Sequence, residues 1–245
     1  MDNLSAMLAE VRAREWAFRE KARLEQTKRD EQPRILPERA MITVSREYGT
    51  SGRIFASLLK ERLGAEWQIW DSEIVDEIAR NANVRRELVQ NIDERARTMI
   101  EHILDSTLNY TPIDGDEYVK HLTQALVSLA HQGQKIIVGR GANFILTQAL
   151  NIRLVASVGY RARSIEEAES LSHAEALAKL RRTDSARQGY IRTHFQNEIG
   201  DQCHYDLVMC LDHLSMEAAA DAAAAAARRH MAEPPNHPHD VKPAI

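Results

Sequence analysis

From residue 41 onwards, short runs of apolar residues alternate with longer segments whose apolar residues recur three and four positions apart. The short runs have the length and the aliphatic or β-branched composition of buried strands. They are Met41–Ser45, Gln68–Trp70, Lys135–Gly139, Ile152–Val158 and Tyr205–Leu211. Strands that alternate with helices are typical of a parallel sheet covered by helices, so the pattern predicts an α/β fold.

The longer segments predict helices, because apolar residues at that spacing share one helix face. They are Ile54–Leu63, Ser72–Asn81, 84–132, Ala142–Leu150, a polar helical region at 164–195 and a final helix at 214–232. Asp71 precedes the second helix and is a residue type that caps helix N-termini by accepting hydrogen bonds from their first N–H groups. We therefore expect that helix to begin at Ser72.

The two ends of the chain differ from this alternating region. Residues 1–40 form a charged extension that lacks Gly and Pro between Asn3 and Arg29, which favours a helix. Such a mixed-charge helix is either a solvated arm or a segment that docks a protein partner or a second copy of the chain. The alternating region, 41–232, is expected to be one domain, and the Pro- and His-rich tail, 233–245, is expected to be disordered.

Composition narrows the fold class. The chain has 245 residues, enough for one domain with extensions and a sizeable core. Only 10 of these residues are Gly, which is below the usual share of about 7%. This scarcity disfavours sandwiches and barrels rich in tight turns, and it draws attention to places where two glycines lie close together.

Charge and hydropathy exclude several kinds of partner. The net charge is -4 at pH 7, so no overall positive field attracts nucleic acid. No run approaches the roughly 18 apolar residues of a membrane-spanning helix, and the N-terminus lacks the apolar core of a signal peptide. The two cysteines, Cys203 and Cys210, do not indicate a disulfide framework. We therefore expect a cytoplasmic protein without membrane or nucleic-acid partners.

Two closely spaced glycine pairs follow predicted strands. Gly49 and Gly52 come after the first strand, and Gly139 and Gly141 come after the third. Ligands of parallel α/β sheets bind beyond the carboxyl ends of the strands, so both pairs fall where a binding site is expected. A glycine loop between a strand and a helix lets backbone N–H groups approach a phosphate, and Arg53 adds a full positive charge.

The first glycine loop departs from the usual phosphate-binding pattern G-x-x-x-x-G-K-[ST]. Glu47 stands at the first glycine position, Arg53 at the lysine position and Ile54 at the Ser/Thr position. Because Ile54 cannot bind a metal ion, the hydroxyl of Thr50 or Ser51 is the candidate ligand for Mg²⁺. An ordinary strand-to-helix turn is the alternative interpretation of this loop.

Arginines accompany the other candidate sites. Arg140, at the end of the third strand, is placed to hold a phosphate or carboxylate with two hydrogen bonds, the alternative being a surface arginine beside a helix N-terminus. Residues 181–192 carry four arginines and one aspartate, namely Arg181, Arg182, Asp184, Arg187 and Arg192. This run is either an exposed ion-pair face or a mobile lid that brings arginines to bound phosphates.

Five separated segments together resemble the cytidylate kinase-like family. They are Ile42–Arg53, Trp70–Val75, Val138–Leu146, the spacing Asp184-x-x-Arg187-x-x-Tyr190, and Tyr205–Val208. Their order and spacing are similar to that family from about residue 41 to residue 230. The resemblance covers neither the N-terminal extension nor the tail.

The resemblance implies a P-loop nucleoside-monophosphate-kinase fold, a three-layer α/β fold with a central parallel sheet, a helical insert that binds the nucleoside monophosphate, and a lid. The insert would be residues 72–132 and the lid region residues 164–195. The resemblance also implies transfer of the γ-phosphoryl group of ATP, with Mg²⁺, to a nucleoside monophosphate such as CMP or dCMP. The expected partners are therefore nucleotide substrates, with ATP as the co-substrate.

The same resemblance implies roles for individual residues. The ATP phosphates would be bound by Gly49, Thr50, Ser51, Gly52, Arg53 and Ile54. The monophosphate substrate would be bound by Asp71, Arg140, Gly141 and Asp184. The residues expected to act in catalysis are Arg53, Arg181, Arg182 and Arg187.

Two other functions stay open beside the kinase. Arg53 and Ile54, in place of Lys and Ser/Thr, are compatible with a catalytically weak regulatory protein that binds nucleotides on the same fold. The third hypothesis is a kinase that acts on a different phosphorylated small molecule. ATP binding without turnover would distinguish the regulator from both kinases.

Overall fold

The computed structural model describes residue 12 and residues 40–83, 85–86, 98, 116–131 and 133–232. The predicted N-terminal helix apart from Arg12, most of the predicted helical segment 84–132 and the predicted tail lie outside these residues. The sheet and both glycine loops lie within them.

Five strands in the described residues form one sheet in which every neighbouring pair is parallel. They are β1 (Met41–Arg46), β2 (Gln68–Asp71), β3 (Lys135–Val138), β4 (Leu150–Val155) and β5 (Leu207–Cys210). The strand order is β2-β3-β1-β4-β5, so β1 lies in the centre between β3 and β4. The predicted α/β fold with a parallel sheet is therefore confirmed.

Seven α-helices have both of their ends in the described ranges. They are α1 (Gly52–Leu63), α2 (Ser72–Arg80), α3 (Asp116–Ala130), α4 (Ala142–Ile145), α5 (Val158–Glu169), α6 (His173–Phe195) and α7 (Met216–Ala232). A short 3₁₀ helix covers Gln202–His204. None of the helices in this part of the chain has the length and apolar composition needed to cross a lipid bilayer.

The helices pack on both faces of the sheet, as the alternation of side chains along β1 shows. Val44 lies in a buried cluster with Phe55 of α1 and the alanines of α7. Met41 lies in a second cluster, with apolar residues of α2, α3 and α6. Because side chains alternate along a strand, Thr43 and Ser45 are on the same face as Met41.

The helix predicted at Ala142–Leu150 is wrong in its second half. α4 ends at Ile145, and Leu150 begins β4, where it pairs with Ile42 of β1. A short apolar run is compatible with either a buried helix or a buried strand. Here the segment pairs with β1 and therefore forms a strand. β4 consequently starts and ends earlier than predicted, and it finishes at Val155.

The polar helical region predicted at 164–195 consists of two helices. Ser170 ends α5 in the left-handed conformation with a φ of 55°. Ser172 then begins α6 as the N-cap of a capping box, which satisfies backbone N–H groups at the helix start. The two helices pack against each other through a small buried cluster that includes Ile165 of α5 and Leu180 of α6.

Candidate functional site

The two glycine loops meet at one edge of the sheet. β1 and β3 are parallel neighbours in its centre, so the loops that follow Arg46 and Val138 leave the sheet side by side. The N–H of Gly139 donates to the carbonyl oxygen of Val44 at 3.0 Å, which ties the second loop to β1. The cleft between the two loops is the candidate functional site.

The first glycine loop folds tightly against α5. Gly49 has a φ of +87°, and a Cβ there would lie 2.7 Å from the backbone carbonyl oxygen of Arg161. Thr50 is fully buried, and its hydroxyl donates to the carbonyl oxygen of Glu47 at 2.9 Å. Of the two hydroxyls considered for Mg²⁺, Ser51 is therefore the one that lines an adjoining cavity.

Two of the cavities that the described residues form at this edge share part of their walls. The inner cavity has a volume of about 290 Å³, and its walls on β1, the second glycine loop, α4 and α6 include Thr43, Ser45, Arg140, Asn143 and Tyr190. The loop cavity has a volume of about 470 Å³ and lies between the first glycine loop, the start of α2 and α5. Arg46, Ser72 and Arg187 line both cavities.

Arg46 occupies the boundary between the two cavities. It is the last residue of β1, and its side chain approaches Gly139 so closely that a Cβ at that position would collide with it. Burial, followed by the positive charges of Arg187, Arg140 and Arg53, lowers the pKa of Arg46 to about 9. An anion bound here would relieve this repulsion. Sequence reasoning missed Arg46, although its position directly after a predicted strand is a usable signal.

Arg187, predicted to act in catalysis, reaches the same boundary from α6. Its Nη1 donates to the backbone carbonyl oxygen of Arg46 at 3.0 Å, and its guanidinium carbon lies 5.5 Å from the centre of the Tyr48 ring. Burial lowers the pKa of Arg187, and the nearby carboxylate of Asp184 acts in the opposite direction. The structure therefore brings Arg187 to the first glycine loop.

Arg140, predicted to hold the substrate, lines the inner cavity and belongs to a polar network. It pairs with Asp76 of α2, and its Nε donates to the Ser72 carbonyl oxygen at 3.4 Å. Asp76 also accepts a hydrogen bond of 2.7 Å from the Tyr118 hydroxyl. The guanidinium carbon of Arg140 lies 5.3 Å from the centre of the Tyr190 ring. Burial raises the pKa of both tyrosines, so their hydroxyls stay protonated.

Asp184, also predicted to bind substrate, lies in a network that joins the first glycine loop to α6. It accepts a hydrogen bond of 3.0 Å from the N–H of Tyr48 and pairs with Arg161 of α5. Arg161 is 6% exposed, and its Nε lies 3.4 Å from Oε2 of Glu47. The same Glu47 oxygen accepts a hydrogen bond of 3.0 Å from the N–H of Ala156. Two carboxylates therefore share one buried guanidinium.

Sequence reasoning did not identify the buried arginines of this network. Arg153 stands inside the apolar run of β4, is buried, and donates to Oγ of Ser45 at 3.0 Å. A charged residue within a buried strand is the signal that points to it, since such a charge needs a polar partner. Arg161 carries no comparable signal, because it lies between the predicted strand Ile152–Val158 and the predicted helical region 164–195.

Asp71 and Arg53 form an ion pair beside the loop cavity. Asp71 caps α2 as predicted, since its Oδ1 accepts hydrogen bonds from the N–H groups of Glu73 and Ile74 at 3.1 and 3.2 Å. Its Oδ2 lies 3.3 Å from Nη2 of Arg53, which is also 3.0 Å from Oε1 of Glu73. Arg53 thus lines the loop cavity while it is paired with two carboxylates.

Only some of the remaining predicted residues line the cleft. Gly141 lines the inner cavity. Ile54 is 58% exposed on α1. Arg181 and Arg182 are exposed on α6 and line neither of the two cavities. Of the three arginines predicted on this helix for catalysis, the structure brings Arg187 into the cleft.

The side chains around the loop cavity suit a metal ion that is held mainly by substrate phosphates and by few protein ligands. Among the described residues, no group of three or more His, Cys, Asp or Glu is arranged to bind a metal. Mg²⁺ usually keeps several waters and binds through one or two protein ligands together with substrate phosphates. Ser51 and Glu73 both line the loop cavity and fit that limited role.

One solved structure, from Eubacterium ventriosum, supports the fold. The crystal structure of an uncharacterized protein from Eubacterium ventriosum ATCC 27560 has a TM-score of 0.60 and 18% sequence identity, and the alignment covers 77% of this chain and 98% of that chain. A crystal structure from Thermus thermophilus has a TM-score of 0.41 and 16% identity, with 76% of this chain and 96% of that chain covered. None of the curated proteins compared with this chain matches it.

Comparison with protein families gives a more specific result. The model of the cytidylate kinase-like family matches residues 41–213, which is more than half of the 245-residue chain. The matched range contains both glycine loops and the arginines that line the two cavities. The chain therefore belongs to the cytidylate kinase-like family.

Proposed function

We propose that this protein transfers the γ-phosphoryl group of ATP to a nucleoside monophosphate, with CMP and dCMP as the first acceptors to test. Membership of the cytidylate kinase-like family suggests nucleotide kinase activity. The observation that carries the proposal is the boundary shared by the two cavities, because Arg46 and Arg187 line both of them. Two phosphate-bearing ligands, one in each cavity, would meet at these two cations.

Each cavity suits one of the two nucleotides. The loop cavity is lined by Gly49, Ser51 and Gly52, and it adjoins the N-terminus of α1, where backbone N–H groups favour an anion. We assign the ATP phosphates to this cavity. The inner cavity is lined by Arg140, which Asp76 holds in place, and we assign the acceptor monophosphate to it.

Neutralisation of charge is the main chemical task in this mechanism. Phosphoryl transfer needs an aligned donor and acceptor and stabilisation of the charge on the transferred group. Arg46 and Arg187 would do this from a partly buried position, where electrostatic interactions are stronger than in water. No general base is needed, because the second pKa of a phosphate monoester is about 6 and its oxygen is already ionised near neutral pH.

Movable parts and the metal complete the proposal. We assign the lid to the region 164–195, which is largely α5 and α6, and the acceptor-binding insert to residues 72–132. Arg187 lies on α6, so movement of this helix would carry a cation to or from the phosphates. Mg²⁺, bound with ATP and held by Ser51 and Glu73, would supply further positive charge there.

A coupled assay of ADP release tests the proposal. The full chain is incubated with ATP, Mg²⁺ and each of CMP, dCMP, UMP and AMP, and we expect turnover with CMP or dCMP. Arg187→Met should lower kcat by about 100-fold or more, because it removes a cation from the transferred group. Arg140→Met should chiefly raise the KM of the acceptor, because it removes a binding contact.

Two further results test the role of Arg182 and the proposed reaction as a whole. Arg182→Met compares an exposed arginine of the same helix with Arg187, so an equal loss of kcat in both variants would place Arg182 in the reaction as well. If a folded sample releases no ADP above background with any acceptor, phosphoryl transfer to nucleoside monophosphates is contradicted.

Nucleotide binding without turnover is the second candidate, and one observation favours it. Arg53, which stands at the lysine position of the loop, is paired with Asp71 and Glu73 and is thereby partly neutralised. In this case calorimetry would show ATP binding while the same sample releases no ADP. A kinase that acts on another phosphorylated small molecule would release ADP only in a wider panel of metabolites.

A further inference from the structure

Asn143 is a buried polar residue that the proposed mechanism does not use. It lies on α4 directly after the second glycine loop, is 7% exposed and lines the inner cavity. Its amide nitrogen is buried without a hydrogen-bond partner. Among the described residues Trp70 and Thr123 also have such an atom, but neither lines the inner cavity. Because buried N–H donors are normally satisfied, an unpaired donor in a cavity wall indicates a ligand atom that completes it.

Other polar side chains that line this cavity already have partners in the protein. The Thr43 hydroxyl donates to Oδ1 of Asn151 at 2.6 Å, and Oγ of Ser45 accepts a hydrogen bond of 3.0 Å from Arg153. Asn143 differs from these two neighbours because its buried donor has no partner in the protein.

The inner cavity combines a cationic end with a less charged wall. Arg46 is at the carboxyl end of β1, and Thr43 lies about 10 Å further down the strand, since a strand rises about 3.3 Å per residue. Asn143 is more buried than Arg140, and Ile191 adds apolar surface to the same cavity. A phosphate held by the arginines therefore leaves the uncharged part of the ligand within the cavity that Asn143 lines.

We propose that Asn143 is a specificity-determining residue whose amide N–H donates to a ring nitrogen or carbonyl oxygen of the acceptor's nucleobase. The inference rests on the proposed function, which identifies the ligand as a nucleoside monophosphate. A volume of about 290 Å³ is close to the lower limit for ligand pockets and suits a nucleotide with a small, single-ring base. Cytosine offers an unprotonated acceptor at N3, whereas N3 of uracil carries a hydrogen, so an N–H donor to N3 favours CMP over UMP. An N–H donor to O2, which both bases carry, favours either nucleotide over the sugar phosphate without a base.

The test compares a nucleotide with the same sugar phosphate lacking a base. Calorimetry measures the Kd of CMP and of ribose 5-phosphate for the full chain and for Asn143→Leu, which keeps the side-chain size but removes the donor. We expect Asn143→Leu to weaken CMP binding by about tenfold and to leave the Kd of ribose 5-phosphate unchanged. Thr123→Val, which alters a buried unpaired group outside the cavity, is the matched control and should change neither Kd.

Two outcomes would overturn the proposal. An equal loss of affinity for CMP and for ribose 5-phosphate would show that Asn143 acts on the phosphate or on the fold. Unchanged CMP binding in Asn143→Leu would show that the base does not contact it. If Asn143→Leu does not fold, Asn143→Ala replaces it with the same expectation, because it also removes the donor without adding a charge.

Failure of this inference is distinguishable from failure of the proposed kinase activity. CMP binding that depends on Asn143, without ADP release, would contradict phosphoryl transfer and support the base contact. ADP release with CMP, combined with a CMP affinity that is indifferent to Asn143, would support phosphoryl transfer and contradict the base contact. A chain that binds neither CMP nor ribose 5-phosphate would contradict both.

Discussion

Gly49 is the residue on which the shape of the first glycine loop depends most directly. Its φ of +87° is unfavourable for other residues, and a Cβ would lie 2.7 Å from a backbone oxygen, that of Arg161, which cannot rotate away. We expect Gly49→Ala to lower the free energy of unfolding by about 2 kcal/mol or more, measured by urea denaturation.

Gly189→Ala is the matched control for Gly49→Ala. Gly189 lies inside α6, and nothing approaches a Cβ there within 4 Å. Because glycine weakens a helix interior, we expect this variant to gain about 0.5–1 kcal/mol of stability. A similar loss of stability in both variants would show that the backbone conformation and close contact at Gly49 are not the cause.

Arg46 is expected to disfavour the folded state while it favours anion binding. Its folded-state pKa of about 9 lies below that of the unfolded chain, so the protonated guanidinium destabilises the fold throughout the pH range below about 9. Without nucleotide, we expect Arg46→Met to raise the free energy of unfolding by about 1 kcal/mol, while ATP binding weakens by about tenfold or more. Urea denaturation and calorimetry on the same samples measure both, and a variant less stable than the parent would contradict the argument.

Sequence reasoning identified those residues whose signal lies in the neighbouring sequence. Gly49, Gly52 and Arg140 lie within a few positions of a predicted strand end, and the structure places all three at the cleft. Arg153 could not be placed in the same way, because its partner Ser45 is 108 positions away. That pair exists only because β4 lies beside β1 in the sheet.

At the scale of elements, Arg161 connects the first glycine loop, α5 and α6. Its guanidinium is shared by Glu47 of the loop and Asp184 of α6, so removing it would leave two carboxylates without their cation. We expect Arg161→Met to lower the free energy of unfolding by about 3 kcal/mol. We also expect kcat to fall, because Arg187 would no longer be held beside the loop. Urea denaturation and the ADP-release assay measure these effects.

Arg163→Met is the control for Arg161→Met. Arg163 lies two residues later on the same helix and is exposed, so its replacement should change stability by no more than about 0.5 kcal/mol. Arg161→Lys should recover part of the lost stability. It restores the charge, but an ammonium group lacks the planar shape with which the guanidinium contacts both carboxylates. Equal stability losses in Arg161→Met and Arg163→Met would contradict the role of the network.

The types of most elements were predictable, but several of their boundaries were not. The β-branched run at Met41–Ser45 and the buried run at Lys135–Gly139 are local signals, and both are strands within one residue of the prediction. Leu150 was assigned to the wrong element because the choice between helix and strand depends on pairing with Ile42, which is distant in sequence. Local pattern therefore predicts element type better than it predicts where tertiary pairing begins.

At the scale of the whole molecule, the cleft carries a charge opposite in sign to that of the chain. The net charge of the chain is -4. The charged residues that line the two cavities are four arginines and three glutamates, a sum of +1: Arg46, Arg53, Arg140, Arg187, Glu47, Glu73 and Glu169. The arginines come from three separate parts of the chain, which meet because β1 and β3 are adjacent and α6 crosses the edge they form. The local field, rather than the net charge, determines which ligand is attracted to the cleft.

Pyrophosphate is the simplest probe of this local field. At about 100 times its Kd, a ligand bound only to the folded state adds about 2.7 kcal/mol, which corresponds to roughly 5–10 °C in unfolding temperature for a chain of this size. Chloride at equal ionic strength should give no such shift, and about 0.5 M salt should reduce the shift by screening. Burial and the neighbouring arginines both disfavour charged Arg46, and a bound anion relieves the repulsion among these arginines. Arg46→Met should therefore start from a higher unfolding temperature and gain less from pyrophosphate. Equal gains in the variant and the parent would place the anion away from the boundary between the two cavities.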